Sequence, residues 1–91
     1  MSTDTLTEQL IARWIEANPH KLDSAEALVL PSRVSVWAVI GQLEVEEGRR
    51  TGVSDAYRLP AAAIDAAERY YDRFRAEIDT RIARSRAFFA T

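Results

Sequence analysis

The sequence predicts an all-α fold: a small helical domain with a helix-turn-helix and a long C-terminal helix that pairs with a second copy of the chain. Apolar residues recur at steps of three and four over most of the chain, which is the period of an amphipathic helix. Glycine and proline are scarce, with three of each. The segment from 61 to 91 contains neither, so nothing in it signals a break.

Length and composition indicate one soluble globular domain, 1–91. A chain of 91 residues has no room for a second core, and 47% hydrophobic with 29% charged residues is ordinary for a folded protein. Polar residues open the chain, and no apolar run reaches the roughly 18 residues that a membrane span needs. We therefore expect a cytoplasmic protein that does not enter a membrane. The absence of cysteine excludes disulfides, a thiolate nucleophile and a cysteine-based zinc site.

Charge is distributed unevenly along the chain. The net charge is −2, made up of −5 over residues 1–47 and +3 over residues 48–91. The chain as a whole therefore lacks the positive field of a dedicated nucleic-acid-binding domain. Its basic half is C-terminal.

The N-terminal helix and a connector occupy 1–34. The helix is predicted over Leu6 to Ala17, where Thr5 and Glu8 form a capping box at the start and Asn18-Pro19 ends it. Residues 20–34 are predicted to form a connector. Within it, Asp23 with Glu26 is expected to cap a single turn, and residues 28–30 are expected to form a short extended piece.

A second helix is predicted from Val36 to about Glu46, with Ser35 as its N-cap and Gly48 as its stop. A short segment over 53–58 follows. Pro60 then opens a helix that continues through 89 and would form a rod of roughly 45 Å. Such a rod outreaches its own domain, so its apolar stripe is predicted to pair two chains. The stripe consists of Tyr71, Phe74, Ile78 and Ile82.

The region 35–70 fits a helix-turn-helix, with the window Val53 to Ala67 as its centre and 58–60 as the turn. Any short helix packed on a longer one needs a similar pattern, which is the alternative. The positions that would face bases are Ala61, Ala62 and Asp65, and none of them offers a hydrogen-bond donor. DNA contact is therefore expected to be weak and limited to phosphates, through Arg49, Arg50, Arg58 and Arg69.

The C-terminal end of the long helix, within 60–90, combines arginine with aromatic residues, which are enriched at protein interfaces. We predict a partner-binding surface there, with ordinary packing inside a dimer as the alternative; its residues are Arg81, Arg84, Phe88 and Phe89.

The sequence offers no set of residues at metal-ligand spacing. His20 has no second histidine or cysteine to complete a metal site, and the acidic residues Glu44, Glu46 and Glu47 are expected to be a solvated helix end. We expect no cofactor and no bound metal. An enzyme is the least expected class, because no acid, base and nucleophile converge.

Three separated stretches resemble one bacterial family, domain of unknown function 433. They are Ala12 to His20, Val34 to Gly41, and Tyr57-Arg58-Leu59-Pro60 continuing through Ala66 to Tyr71 and Ile78 to Ala83. The likeness spans nearly the whole chain. That family is similar to VapB-type antitoxins, which are small helix-turn-helix proteins that bind and silence a PIN-like ribonuclease toxin.

The resemblance implies an antitoxin of a type II toxin-antitoxin pair, in which the complex rather than the chain alone touches operator DNA. Two alternatives stay open: a helix-turn-helix transcriptional regulator without a toxin, and a structural dimeric helical adaptor. A PIN-like coding sequence beside this gene would favour the antitoxin.

Overall fold

The computed structural model describes the backbone of residues 2–90 and the side chains of residues 5–88. Within this range the chain forms five helices, three two-residue strands and one 3-10 turn. The helices are α1 Ser2–Trp14, α2 Val36–Val45, α3 Arg50–Tyr57, α4 Ala61–Arg73 and α5 Arg75–Ala90. The strands are β1 Ile15–Glu16, β2 Leu28–Val29 and β3 Val34–Ser35, and the 3-10 turn is Ser24–Glu26. None of the helices in this part of the chain has both the length and the apolar character needed to cross a bilayer.

The predicted helical fold is confirmed, but a small antiparallel sheet accompanies it. The strands lie in the order β1-β2-β3, with Ile15 opposite Val29 and Val29 opposite Val34. The N-terminal helix consequently ends at Trp14, three residues before the predicted Ala17. Residues 15 and 16 leave the helix because their backbone groups pair with β2, a partner too distant in the sequence for local patterning to indicate.

The core lies between α2, α3, α4, α5 and the sheet. Its largest fully buried side chains are Val29, Val36, Val39, Val53, Ile64 and Ile78. Trp14 and Trp37 pack against this core from α1 and α2. Ser35 takes the N-cap position of α2, as predicted, although its side chain makes no capping hydrogen bond.

The turn between α3 and α4 lies where the sequence predicts it, over 58–60. Arg58 adopts the left-handed conformation, with φ 55°, and its backbone N–H donates to the Ser54 carbonyl. The Ser54 hydroxyl donates to the Leu59 carbonyl at 2.5 Å, which closes the turn. Pro60 occupies the N-cap of α4, so the helix begins one residue later than predicted.

The prediction of one rod from Pro60 to residue 89 is wrong, because the chain bends at Phe74. This residue leaves helical geometry, with φ −123° and ψ 37°, and separates α4 from α5. The bend lets α5 pack on α2 instead of extending into solvent. Burying a large aliphatic side chain contributes about 1.5–3 kcal/mol, so two of them outweigh one non-helical residue.

The predicted dimer seam is therefore wrong for its two isoleucines. Ile78 is fully buried and Ile82 is 5% exposed, both inside the chain's own core. Phe74 packs on that core beside Tyr70, at 4.7 Å between ring centroids. The Tyr71 hydroxyl donates to Asp79 at 2.6 Å, which raises the pKa of Tyr71. The two isoleucines are internal because the rod that would expose them does not form.

Candidate partner-binding surface

A cleft of about 680 Å³ opens between the connector, the first turn of α2 and the second half of α5. We call it the C-terminal cleft. The connector contributes one wall because Asp23 accepts a hydrogen bond from the Ala25 backbone at 3.0 Å and holds the 3-10 turn, as its predicted capping role requires. The lining residues are Lys21, Leu22, Asp23, Glu26, Trp37, Arg81, Arg84, Ser85 and Phe88.

A second contact fixes that wall from the core side. The Tyr70 hydroxyl on α4 donates to the Ser24 carbonyl at 2.9 Å. Burial of this phenol raises the pKa of Tyr70. The 3-10 turn is thus tied to a helix that belongs to the core.

The floor of the cleft is a buried carboxylate with two partners. Glu26 is 8% exposed; its Oε1 accepts from the Trp37 indole Nε1 at 3.2 Å and its Oε2 accepts from Arg81 Nε at 2.8 Å. The Arg81 guanidinium also lies 4.0 Å from the centroid of the Trp37 ring, within the range of a cation–π contact. A buried charge is tolerated when it is paired and hydrogen-bonded in this way.

This arrangement changes the role of one predicted partner-binding residue. Arg81 joins α5 to the connector and to α2, so its guanidinium is engaged inside the chain. No local sequence pattern indicates this pair, because Glu26 and Arg81 are 55 positions apart.

The rim of the cleft carries the residues that remain open to solvent. Leu22 is 93% exposed and Phe88 is 73% exposed, on the connector and α5 respectively. Arg84 is exposed on the same side of α5 and also borders a smaller neighbouring cavity. Of the four predicted partner-binding residues, the structure brings Arg81, Arg84 and Phe88 to this cleft. The side chain of Phe89 lies outside the described residues. Leu22 was missed because a lone leucine in a loop shows no periodicity.

The four predicted phosphate-binding arginines do not form one basic patch. Arg50 pairs with Glu68, and Arg69 donates to Asp65 at 3.0 Å and to Thr7 at 2.7 Å. These two arginines border a single groove, in which three arginines face three acids. The groove is lined by Thr7, Arg50, Asp65, Glu68, Arg69, Asp72 and Arg73. A phosphate there would have to displace carboxylates.

The other two arginines lie outside that groove. Arg49 donates to the Glu46 carbonyl at 3.2 Å, just before α3. Arg58 is exposed in the 58–60 turn. Residues 61 and 62 are exposed at the start of α4, and Asp65 beyond them is held by Arg69.

The acidic and histidine residues considered as metal ligands are dispersed. His20 is exposed and its backbone N–H donates to Asn18 Oδ1 at 2.9 Å. Glu44 pairs with Arg86 at 3.2 Å, and Glu46 accepts from Gln42 at 3.0 Å. Within residues 5–88 no three His, Asp or Glu side chains are placed to hold a metal ion.

Comparison with known proteins gave no match: no protein-family model, no curated protein and no solved structure corresponds to this chain at a significant level. The likeness to domain of unknown function 433 accordingly rests on the three quoted stretches of sequence.

Proposed function

We propose that this chain is an antitoxin-like protein, which binds and neutralises a PIN-like ribonuclease toxin through the C-terminal cleft. The observation that carries the proposal is the pair of exposed apolar side chains, Leu22 and Phe88, on the rim of one cleft. Large apolar groups gathered at a solvent-exposed site are typical of protein interaction surfaces.

The chemistry of the cleft fits an acidic protein surface. Because Glu26 is neutralised by Arg81, the remaining charges at the cleft are Lys21, Arg84 and Asp23, which leaves one net positive charge. By the family resemblance, the partner is a ribonuclease that gathers acidic metal-binding residues. Opposite charges on the two surfaces would guide the encounter, and the apolar anchors would supply most of the affinity.

The cleft is also preorganised, which lowers the entropic cost of binding. The Glu26 carboxylate holds Trp37 on α2 and Arg81 on α5 at once. A partner would therefore meet an ordered floor and would have to immobilise only the rim.

The test is co-purification with the product of the adjacent gene. A double variant, Leu22→Ser with Phe88→Ser, should bind the partner at least 30-fold more weakly, since truncating an interface anchor costs on the order of 2 kcal/mol. The matched control is Leu6→Ser on α1, which removes an apolar side chain that is 46% exposed away from the cleft. Arg81 is kept in these variants, because replacing it would unpair Glu26.

The control variant should hold the partner as tightly as the intact chain. Retention of the partner by the folded double variant would refute the assignment of the cleft. Failure of the adjacent gene product to bind the intact chain would refute the antitoxin role itself.

A second candidate function, a DNA-binding regulator without a toxin, is favoured by the short helix, three-residue turn and following helix over 50–73. The DNA-binding role has less support than the antitoxin role, because residues 61 and 62 are alanines and the Asp65 carboxylate is already bonded to Arg69. The isolated chain should bind a fragment of its own promoter weakly and lose that binding as salt rises. Nanomolar, sequence-specific binding at physiological ionic strength would favour the regulator. A dimeric adaptor would bind neither DNA nor the adjacent gene product.

A further inference from the structure

The bend between α4 and α5 interrupts a sequence that favours one continuous helix. A single residue, Phe74, separates the two helices, and the segment from 61 to 91 contains neither glycine nor proline. The residues beside it, 73 and 75–77, are arginine, alanine and glutamate, which are strong helix formers. The interruption therefore results from the packing of α5 on its own chain and not from a local signal in the sequence.

The hydrogen bonds of an α-helix nearly continue through the bend. The Phe74 N–H donates to the Tyr70 carbonyl at 3.1 Å, and the Ile78 N–H donates to the Phe74 carbonyl at 3.0 Å. The N–H groups of residues 75–77 lie in the first turn of α5, where no carbonyl of the same helix can accept from them. In a straight helix they would bond to the carbonyls of residues 71–73. A change of backbone conformation at Phe74 alone would thus join α4 to α5.

The contacts that hold α5 belong to a distant part of the chain. This helix packs on α2 and on the 3-10 turn more extensively than on α4. Arg81 pairs with Glu26 of that turn. Arg86 pairs with Glu44 of α2. These partners all lie on the other side of the bend, within residues 24–45, so the same segment of a second copy would offer α5 identical contacts.

The bend lies at the protein surface, where residues 75–77 are exposed. Arg75 pairs with Asp72 and lies over the Tyr71 ring, 4.4 Å from its centroid. These pairs are three and four positions apart, so they also meet in a straight helix. The hydrogen bond from Tyr71 to Asp79 crosses the bend, and an exchange of α5 remakes it between two copies. Few contacts of the chain therefore require the bend itself.

We propose that two copies of this chain exchange α5, and that α4 and α5 of each copy form one helix over 61–90. Each α5 occupies on the partner subunit the place that it occupies on its own chain in the monomer. Ile78 consequently stays buried, and Arg81 pairs with Glu26 of the partner subunit. Exchange of an identical element is a low-cost route to a dimer, because the two states share almost all their contacts. They differ at the bend, where the exchanged state gains helical hydrogen bonds.

The exchange keeps the C-terminal cleft but builds it from two copies. One copy supplies the connector wall with Leu22, and the other supplies the α5 wall with Arg84 and Phe88. Each of the two clefts in the dimer is incomplete without the second copy. The exchange does not rest on the antitoxin role, since it uses only contacts of this chain, and it is tested on the chain alone.

The test is chemical cross-linking between α2 and α5. The chain contains no cysteine, so Glu44→Cys with Arg86→Cys supplies two thiols in place of an exposed ion pair. This variant is refolded from urea at concentrations from a few micromolar to several hundred micromolar, and monomer and dimer are separated by size and treated with a short bis-maleimide. The dimer should grow with concentration. Its cross-linked product should run on a denaturing gel at twice the 10.3 kDa of one chain. In the monomer, or in a side-by-side dimer, the linker stays within one chain.

Two substitutions of Phe74 test the bend itself. Phe74→Ala and Phe74→Gly remove the same ring and its packing, but alanine favours a helix at this position and glycine disfavours it. The dimer of Phe74→Gly should dissociate at a concentration on the order of tenfold higher than the dimer of Phe74→Ala, because both copies carry the cost. Equal dissociation of the two dimers would overturn the proposal. A monomer at every concentration, or a dimer whose cross-linked product keeps the mass of one chain, would overturn it as well.

Discussion

Replacing Arg81 by methionine should destabilise the fold far more than an ordinary surface substitution. Methionine keeps much of the apolar stem over Trp37 but removes the guanidinium that neutralises Glu26. The side chains of Arg81 and Glu26 are 23% and 10% exposed. Breaking a fully buried pair costs about 3–5 kcal/mol, so partial exposure of this pair reduces the expected cost to about 2–3 kcal/mol.

That loss is large for a chain of this size. Stability of roughly 0.05–0.15 kcal/mol per residue gives a free energy of unfolding of about 5–14 kcal/mol. With a urea m-value of about 1 kcal/mol/M, Arg81→Met should lower the unfolding midpoint by about 2–3 M. The assay is urea denaturation followed by circular dichroism, with tryptophan fluorescence as a second probe.

Two further variants test the reasoning behind that number. Arg86→Met, on the same helix as Arg81, removes an exposed ion pair with Glu44 of α2 and should cost less than about 0.5 kcal/mol. Glu26→Gln, introduced into Arg81→Met, removes the unpaired charge while keeping an acceptor for the Trp37 indole, and should recover about 1 kcal/mol. An Arg81→Met midpoint within about 0.5 M of that of the intact chain, a quarter of the expected shift, or no recovery in the double variant would refute the pairing as the source of stability.

Three smaller perturbations test other contacts. Ser54→Ala should cost about 1 kcal/mol, measured by urea denaturation, because it removes the hydrogen bond that closes the 58–60 turn. Tyr70→Phe should be less stable than the intact chain at pH 8 and approach it at pH 11. Burial raises the pKa of Tyr70 in the folded state, so its contribution is present below about pH 10 and is lost as pH rises through the raised value. Thermal melts at both pH values check this, and a constant difference would contradict it. The hydrogen bond and charge of Arg73 lower the pKa of Glu8 below 4.5 in the folded state. The ion pair therefore stabilises the fold at pH values above 4.5, and this contribution is lost as the pH falls through the lowered pKa of Glu8. The melting temperature of Glu8→Gln should accordingly fall less steeply than that of the intact chain between pH 5 and pH 3.

Two of the helix boundaries that depend on local signals were predictable from the sequence, but the start predicted from the capping box of Thr5 and Glu8 is wrong, because α1 begins at Ser2. Ser35 stands at the N-cap of α2, and the turn over 58–60 with Pro60 separates α3 from α4 as predicted. These boundaries depend on backbone preferences of the residues themselves, which a local pattern contains.

Features that depend on distant partners were not predictable. Helix α1 ends early because Ile15 pairs with Val29, and the bend at Phe74 has no glycine or proline to mark it. Both follow from packing between segments that are far apart in the chain, which overrides helical periodicity.

The candidate site divides in the same way. Its exposed members on α5, Arg84 and Phe88, were predicted from their residue types in a basic and aromatic helix end. The pair of Glu26 with Arg81 was not, because it exists only after α5 folds back on α2. The opposing wall, with Leu22, belongs to a connector in which no pattern could single it out.

The central claim, that a protein partner docks at the C-terminal cleft, can be tested directly with the two indole groups of the chain. Trp37 lies on the floor of the cleft, while Trp14 packs against the core from α1, next to Arg13. In an NMR titration of the isotope-labelled chain with the product of the adjacent gene, the indole N–H signal of Trp37 should shift or broaden in proportion to the bound fraction, and that of Trp14 should stay in place. A shift of the Trp14 signal with the Trp37 signal unchanged would contradict the account and place the partner on the N-terminal helix.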